Sequence, residues 1–296
     1  MGELYHGSSE KGLKRLEPHK STHGKYLYAT RNKELAIIFS ARCGDDCTYE
    51  LYRNSDDEPW TLVERIPEGF NTMFSNSSSI YTLDDKTFAD INTGFSELVS
   101  TVDVGTLSEE YIENVYDKIK ELEGSGIIKI FPYPTKPIGH PEDNSDLIDK
   151  QIIQNTRDNK PVTRESFERL ILLHPNLMDK VNKRFPEIKT FTEEDLIRLF
   201  EDAVIKQTLY PNYEQYLKSI VISISKTYPE LTQFFDERLQ FLNMPKDKQL
   251  EIFFDKLKNQ YQIDLRSQYL NDERSFQEIG KEVLKNIRDI QKGTQR

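Results

Sequence analysis

The chain has 296 residues, of which 36% are hydrophobic and 30% are charged, and its formal net charge is −10. This composition predicts a folded protein with a heavily solvated surface and excludes a disordered chain. The acidic surplus argues against general electrostatic binding to DNA or RNA, which requires a basic surface.

The charge is unevenly divided along the chain. Residues 1–140 carry 15 Lys and Arg against 23 Asp and Glu, and the remainder carries 25 against 27. A local basic patch stays open around four residues: Lys180, Lys183, Arg184 and Lys189. No apolar run approaches the roughly 20 residues needed to span a bilayer, and no signal peptide is visible at the N-terminus. We therefore expect a cytoplasmic protein without a membrane partner.

The first 135 residues show the patterns of short strands, turns and a few helices. Alternating or β-branched segments predict strands over residues 3–6, 26–29, 60–66, 79–83, 97–102 and 127–131. Helical spacing predicts one helix over residues 33–41 and another over residues 108–122, with Ser108 as the N-cap. We expect the first strand to be broken by Gly7, and the strand that Glu97 opens to lead into a helix.

A proline-rich segment marks the predicted domain boundary. Pro132, Pro134 and Pro137 are followed by Gly139-His140-Pro141, and little strand pattern remains beyond them. Helix starts are predicted at Thr163, Thr192, Asn212, Pro229, Pro245 and Asp272. We therefore predict an α+β fold, with an N-terminal domain over residues 1–138 and an all-α domain of six to eight helices over residues 139–296.

Cys43 and Cys47 are the two cysteines of the chain. They lie four residues apart, and the nearest histidines, His19 and His23, do not complete a zinc-ligand spacing. A disulfide would be unusual in a reducing cytosol, so two free thiols are the simpler interpretation. We predict no metal site.

Three segments of the N-terminal half carry residues suited to chemistry. Tyr5-His6-Gly7-Ser8 ends the first predicted strand, where a glycine lets a ligand approach the main chain. Tyr26 and Tyr28 share one face of the next strand, and Glu97 opens an otherwise apolar strand. Taken singly, each has a structural explanation: a structural histidine, half-buried strand tyrosines and a solvated strand-edge glutamate.

In their order and local spacing, the three segments resemble the His-Tyr-Glu signature of ADP-ribosyltransferases of the poly(ADP-ribose) polymerase and diphtheria-toxin type. The resemblance covers roughly the first 120 residues, and it implies an N-terminal domain with the split β-sheet of that family. It places the family's histidine–glycine pair on His6 and Gly7, its strand tyrosine on Tyr28 and its glutamate on Glu97.

The chain departs from the family's pattern at three positions. Tyr26 stands in place of a second glycine, Ala36 in place of the helix serine that bonds the nicotinamide amide, and Phe39 in place of a second tyrosine. Phe39 keeps the stacking face but lacks the hydroxyl. Gly7 backbone groups, with the neighbouring Ser8, are left to hold the amide.

The resemblance implies an NAD-dependent ADP-ribosyltransferase, a glycosyltransferase that cleaves the nicotinamide–ribose bond without a metal. Glu97 would stabilise the positive charge that builds on the ribose, and His6 would fix the adenosine-side ribose. Tyr28 and Phe39 would sandwich the nicotinamide ring. The implied role is a mono-ADP-ribosyltransferase effector of toxin or defence type. Its implied partners are NAD, a protein or nucleic-acid acceptor and an inhibitory protein.

Three alternatives stay open. An RNA 2′-phosphotransferase relative would share the fold and the use of NAD, but it needs basic residues to hold an RNA phosphate, for which Arg31 and Arg42 are the candidates. An NAD glycohydrolase would release ADP-ribose without an acceptor. A catalytically silent assembly protein would act through the helical half, whose aromatic residues suit core packing or partner docking. These are Tyr210, Tyr213, Tyr216, Phe234, Phe235, Phe253 and Phe254.

Overall fold

A computed structural model of the protein describes residues 2–21, 24–41, 47–55, 57–91, 96–207, 213–240, 244–261, 266–269, 272–274, 279 and 282–283. Five residues named above lie outside this part of the chain: His23, Arg42, Cys43, Tyr210 and Asn212. The chain divides into two compact units, Met1–His140 and Pro141–Arg296. The boundary predicted from the sequence lies two residues earlier, after residue 138. Strands and helices are both present, so the fold class is α+β.

The first unit contains eleven described strands and three described α-helices. The strands are β1 Glu3–Ser8, β2 Arg15–Leu16, β3 His19–Ser21, β4 Gly24–Thr30, β5 Tyr49–Tyr52, β6 Trp60–Glu64, β7 Ser78–Asp84, β8 Glu97–Ser100, β9 Val104–Gly105, β10 Ser108–Ile112 and β11 Ile128–Phe131. The helices are α1 Lys33–Ser40, α2 Gly69–Phe74 and α3 Val115–Gly124.

The strands form one large sheet and two smaller ones. The large sheet has the order β10-β7-β1-β4-β3, and β8 also pairs with β4. A second sheet has the order β11-β6-β5, and β2 pairs with β9. Every pairing is antiparallel except that of β6 with β11. Because β4 lies between β1 and β8, the three strands that carry the predicted site residues are neighbours.

Apolar side chains cover both faces of the large sheet. On one face, Tyr5 and Ile80 pack in a core with residues of α1, α2, α3 and the second sheet, including the buried Trp60. On the other face, Leu4, Leu27 and Tyr81 belong to a separate cluster. The alternation of side chains along each strand explains why successive residues such as Leu4 and Tyr5 belong to different clusters.

Helix α1 is defined by its cap and its apolar face. The side chain of Asn32 accepts a hydrogen bond from the Leu35 main-chain N–H at 2.8 Å, as an N-cap residue does. Leu35, Ala36, Ile37 and Ile38 are all buried. The predicted helix over residues 33–41 is therefore present, one residue shorter at its end.

Three sequence predictions about this unit are wrong. Residues 108–112, predicted to begin a helix, form β10, and α3 begins at Val115 with Asn114 as its N-cap. Pairing with β7 overrides the local helix pattern, because helix propensity is weak compared with tertiary contacts. β1 is not broken at Gly7 but continues to Ser8, and β8 leads into β9 and β10 rather than into a helix.

Gly7 lies where α1 crosses the large sheet. A Cβ atom at this position would lie 2.3 Å from the Ala36 carbonyl oxygen and 2.7 Å from the Ser40 Cα. We expect Gly7→Ala to lower the free energy of unfolding of this unit by about 2 kcal/mol, because the helix or the strand must shift to accept the methyl group. Trp60 is the only tryptophan of the chain and lies in this unit, so the denaturant midpoint of its fluorescence measures the loss.

Gly124→Ala is the matched control for that experiment. An added Cβ at Gly124 meets nothing within 4 Å, so its midpoint should stay at or above that of the unchanged protein. If the two variants lost the same stability, the close approach of α1 to Gly7 would not be the cause.

The described elements of the second unit are helical. They are α4 Asp146–Arg157, α5 Glu165–Leu173, α6 Met178–Arg184, α7 Glu193–Gln207, α8 Tyr213–Thr227, α9 Thr232–Leu239, α10 Lys246–Tyr261 and α11 Arg266–Tyr269, with short 3-10 turns before α6 and α9. The predicted starts at Thr163, Thr192 and Pro245 lie one or two residues before α5, α7 and α10. In the described part of the chain, no helix is both long and apolar enough to cross a membrane.

Four of the aromatic residues named for the helical unit pack in its interior. Tyr216, Phe235, Phe253 and Phe254 are at most 5% exposed, and the rings of Phe200 and Phe235 meet edge-on with their centroids 4.7 Å apart. Core packing, rather than partner docking, therefore accounts for these four residues.

Candidate functional site

The predicted site residues come from four neighbouring elements of the first unit. His6, Gly7 and Ser8 lie on β1, Tyr28 on β4, Ala36 and Phe39 on α1, and Glu97 is the first residue of β8. Because β4 pairs with both β1 and β8, three segments far apart in the sequence are adjacent in the sheet.

The side chains of Tyr28 and Glu97 lie on the same face of the sheet. In the pairing of β4 with β8, Tyr28 is opposite Val99 and Thr30 is opposite Glu97. Residues opposite each other in an antiparallel pair point to the same face, as do residues two apart on one strand. Both side chains are partly buried. The phenol and the carboxylate therefore share one partly enclosed surface.

Helix α1 covers that face. Tyr5 is opposite Thr30 in the sheet, so Gly7, two residues further along β1, points the same way. The Ala36 carbonyl and Ser40 approach Gly7 from this side. Phe39, on the same helix, is partly buried against the core. The helix that carries the second predicted stacking ring thus packs on the face that bears Tyr28 and Glu97.

His6 joins β1 to β4 through its side chain. The ladder between these two strands has one pair, Tyr5 opposite Thr30, and beyond it the Nδ1 atom of His6 lies 2.7 Å from the main-chain oxygen of Tyr28. A carbonyl oxygen only accepts, so Nδ1 carries the proton in this hydrogen bond. In the neutral ring, Nε2 is then an acceptor. Strand alternation places the His6 side chain with Leu4, on the face opposite Tyr28, so the contact is to the Tyr28 main chain rather than to its ring.

The surroundings of His6 favour its neutral form. Burial of the ring lowers the pKa of His6 from its ordinary value of 6.5; the hydrogen bond to Tyr28 opposes this shift, and the nearby His19 adds to it. Near pH 7 the ring is therefore neutral, with Nδ1 donating and Nε2 accepting.

This shift predicts a loss of stability in mild acid. The unfolded chain binds a proton at His6 more readily than the folded chain does. Above pH 6.5 the ring is neutral in both states, and the free energy of unfolding keeps its full value. As the pH falls below 6.5 towards the lower folded pKa, the unfolded chain is protonated first, and the free energy of unfolding decreases. We expect the Trp60 fluorescence midpoint in denaturant to be lower at pH 5.5 than at pH 7.5. His6→Asn keeps a donor near the Nδ1 position but does not titrate, so it should show a smaller difference. An equal difference in both proteins would assign the effect to other groups.

The structure gives Gly7 and Ala36 a packing role. The space beside the Gly7 Cα, which the sequence reasoning assigned to a ligand, is occupied by α1. The Ala36 side chain is 2% exposed and belongs to the core. A ligand can therefore use this segment only through main-chain groups or through Ser8, which is partly buried.

A hydroxyl that the sequence analysis missed holds the start of β8. Thr30 Oγ1 donates a hydrogen bond to the Ser96 main-chain oxygen at 2.7 Å, and it accepts one from the Asn32 N–H at 3.1 Å. The Arg53 guanidinium donates to Ser96 Oγ at 3.3 Å and lies over the Trp60 ring. Local sequence offers one signal: a threonine that ends a strand just before a helix cap.

Glu109, which with Glu110 is the next candidate for the catalytic carboxylate after Glu97, forms a second cluster of hydrogen bonds. Its carboxylate accepts hydrogen bonds from the Gly12 N–H at 2.9 Å, from Ser79 Oγ at 2.7 Å and from the Tyr81 hydroxyl at 3.2 Å. The Gly12 hydrogen bond is the main reason that the pKa of Glu109 is lowered. The cluster ties the loop after β1 to β7 and β10, so it supports the segment that follows Ser8.

Comparison of the chain with protein-family models, with curated proteins and with solved structures gave no match.

Three of the five described basic residues named for nucleic-acid binding form ion pairs. Arg31 pairs with Asp85 at 3.0 Å, Lys180 with Asp143 at 2.5 Å, and Arg184 with Asp149 at 2.6 Å. These pairs offset the positive charge of Arg31 in the first unit and of Lys180 and Arg184 in the helical unit.

Two surface cavities lined by described residues lie away from the predicted site. One, of about 520 Å³, borders β10 and α3 and is lined by Glu110, Asp117, Glu121 and their neighbours. The other, of about 240 Å³, lies among α5, α7 and α8. Neither is lined by His6, Tyr28 or Glu97, and the acidic lining of the larger one is unsuited to the anionic pyrophosphate of NAD.

Proposed function

We propose that the first unit is an ADP-ribosyltransferase domain of the His-Tyr-Glu type, which binds NAD, cleaves its nicotinamide–ribose bond and transfers ADP-ribose to a macromolecule. The observation that carries this proposal is the adjacency of β1, β4 and β8. That adjacency brings His6 to the main chain of Tyr28 and puts Glu97 on the same face as the Tyr28 ring.

Cleavage of the nicotinamide–ribose bond does not require a covalent bond between the protein and NAD. As nicotinamide leaves, positive charge builds on the ribose, and a carboxylate held near a ribose hydroxyl stabilises that charge. Glu97 is assigned this role. Because its side chain is partly buried, its interaction with the developing charge is screened less than it would be in open water.

His6, Tyr28 and Phe39 are assigned to binding. His6, whose side chain lies on the opposite face of the sheet from those of Tyr28 and Glu97, is held at Nδ1 by the Tyr28 carbonyl and is assigned to the adenosine-side ribose, with Nε2 as the acceptor for a hydroxyl. Tyr28 and Phe39 supply aromatic faces for the nicotinamide ring, and such stacking is worth about 1 kcal/mol per pair. Gly7 and Ser8 are assigned to the nicotinamide amide through the main chain, which compensates for Ala36 in place of the family's serine.

The acceptor is proposed to be a protein. The unit that carries the site has eight more acidic than basic residues, and Arg31, the described candidate for holding an RNA phosphate, is paired with Asp85. Both observations disfavour the RNA 2′-phosphotransferase alternative. Hydrolysis of NAD without an acceptor is the second candidate function, because a carboxylate that stabilises the ribose cation also assists its attack by a water molecule.

The test is incubation of the full chain with NAD labelled in its adenylate part, together with a cell lysate separated into protein and nucleic-acid fractions. We expect nicotinamide release and label in the protein fraction. Label in the nucleic-acid fraction would overturn the protein acceptor, and free ADP-ribose alone would indicate a glycohydrolase. If no nicotinamide is released in any fraction, the enzymatic proposal is wrong and a catalytically silent protein remains.

A further inference from the structure

Thr30 occupies a junction between the segments that carry the proposed catalytic and stacking residues. It is the last residue of β4, it is 2% exposed, and it lies directly opposite Glu97 in the sheet. Its hydroxyl makes two hydrogen bonds, donating to the Ser96 main-chain oxygen at 2.7 Å and accepting from the Asn32 N–H at 3.1 Å. A buried hydroxyl with both bonds made holds its partners at fixed separations.

The two hydrogen-bond partners of the Thr30 hydroxyl belong to segments that carry different residues of the proposed site. Ser96 immediately precedes Glu97. Asn32 is the N-cap of α1, since its side chain accepts from the Leu35 N–H at 2.8 Å, and α1 carries Phe39. The Thr30 hydroxyl therefore connects the start of β8 to the start of α1 on the face where Tyr28 and Glu97 lie.

Ser96 is also held from its side chain. The Arg53 guanidinium lies with its carbon 4.8 Å from the centre of the Trp60 ring and donates from Nη2 to Ser96 Oγ at 3.3 Å. The main chain and the side chain of the residue before Glu97 are thus anchored by two independent groups from β4 and from the loop after β5.

We propose that Thr30 is a positioning residue, whose hydroxyl sets the placement of the Glu97 carboxylate relative to the rings that hold nicotinamide. This inference rests on the proposed function. The carboxylate must meet the ribose within hydrogen-bond distance as charge develops, and a displacement of about 1 Å can reduce the rate about 100-fold. Thr30 acts through Ser96 and Asn32, so its loss changes the chemical step more than the binding of NAD.

The experiment compares Thr30→Val, which has nearly the same shape without the hydroxyl, with Thr30→Ser, which keeps it. We expect Thr30→Val to lower kcat for nicotinamide release by roughly 10- to 100-fold, with KM for NAD within about threefold of the unchanged protein. Thr30→Ser should stay within about threefold in both constants. Thr72→Val is the control, because it removes another buried threonine hydroxyl in the same unit and should leave kcat per folded molecule unchanged.

Amide hydrogen exchange provides a readout that does not depend on NAD. Asn32 donates its N–H to Thr30 Oγ1, so that amide should exchange faster in Thr30→Val and at the original rate in Thr30→Ser. If Thr30→Val does not fold, Thr30→Ala removes the same hydroxyl with a smaller side chain, and the same loss in kcat with an unchanged KM is expected.

The outcomes separate this inference from the proposed function. An unchanged protein that releases no nicotinamide overturns the proposed function and the inference with it. An active unchanged protein overturns the inference alone if Thr30→Val, or Thr30→Ala in its place, keeps full kcat. Equal losses in Thr30→Val and Thr30→Ser would mean that side-chain shape matters rather than the hydroxyl, which also overturns it.

Discussion

Glu97→Gln should lower the rate of nicotinamide release from NAD by about 1,000-fold while leaving the unfolding midpoint unchanged. Glutamine has nearly the same shape as glutamate and can still hydrogen-bond to a ribose hydroxyl, but it lacks the negative charge that offsets the ribose cation. Removal of one preorganised electrostatic group from an active site costs about 100- to 1,000-fold in rate, and the loss of a full charge is expected at the upper end.

The measurement is steady-state nicotinamide release by the full chain, with the folded fraction determined from Trp60 fluorescence. Glu110→Gln is the matched control, since Glu110 is an exposed carboxylate on β10 that pairs with Lys33 rather than a proposed site residue. Full activity in Glu97→Gln would show that the catalytic carboxylate has been misassigned. Loss of activity in Glu110→Gln would then point to that residue instead.

The second large effect concerns stability and the buried Arg65. This side chain is completely buried, and it forms an ion pair with Glu50, whose carboxylate also lies 3.2 Å from His140 Nε2. Glu50→Ala should lower the free energy of unfolding of the first unit by about 3 kcal/mol, because removal of one partner leaves a buried guanidinium charge without the counter-charge of Glu50. Glu50→Gln keeps an oxygen that accepts a hydrogen bond from Arg65, so it should lower the free energy of unfolding by about half as much.

Denaturant unfolding followed by Trp60 fluorescence reports this effect, because the tryptophan lies in the same unit as the pair. Far-UV circular dichroism of the same samples follows the helices, most of which belong to the second unit. Glu58→Ala removes an exposed carboxylate from the same region and should change stability by less than about 0.5 kcal/mol. A Glu50→Ala protein as stable as the Glu58→Ala protein would contradict the role assigned to the buried pair.

Several elements were predictable because their signals are local. The alternation of Tyr26, Leu27, Tyr28 and Ala29 identified β4, and the spacing of Leu35 and Ile38 identified α1, because each pattern matches the period of its own element. The same holds for α5, α7 and α10 of the second unit, whose predicted starts at Thr163, Thr192 and Pro245 fall within two residues of the observed ones, whereas α4 and α6 had no predicted start.

The candidate site was only partly predictable. The order of His6, Tyr28 and Glu97 along the chain resembles a known signature, and that resemblance identified candidate residues without giving their positions in space. Their adjacency depends on the pairing of β4 with β1 and with β8. The local pattern of apolar and polar residues does not show which strands pair when they are dozens of residues apart. Thr30 and Arg53 were missed for the same reason, since each bonds to Ser96, which is far away in the sequence.

The sequence by itself determined the α+β class, the helical second half and the periodic elements. An element that buries one face repeats its apolar residues at the period of a helix or a strand, and this repeat is visible in consecutive residues. Only the tertiary structure decided that residues 108–112 pair as a strand with β7, that Gly7 makes room for α1, and that His6 bonds the main chain of Tyr28. Each of these depends on which segment comes to lie alongside, and pairing partners are selected by the packing of the whole unit rather than by neighbours in the chain.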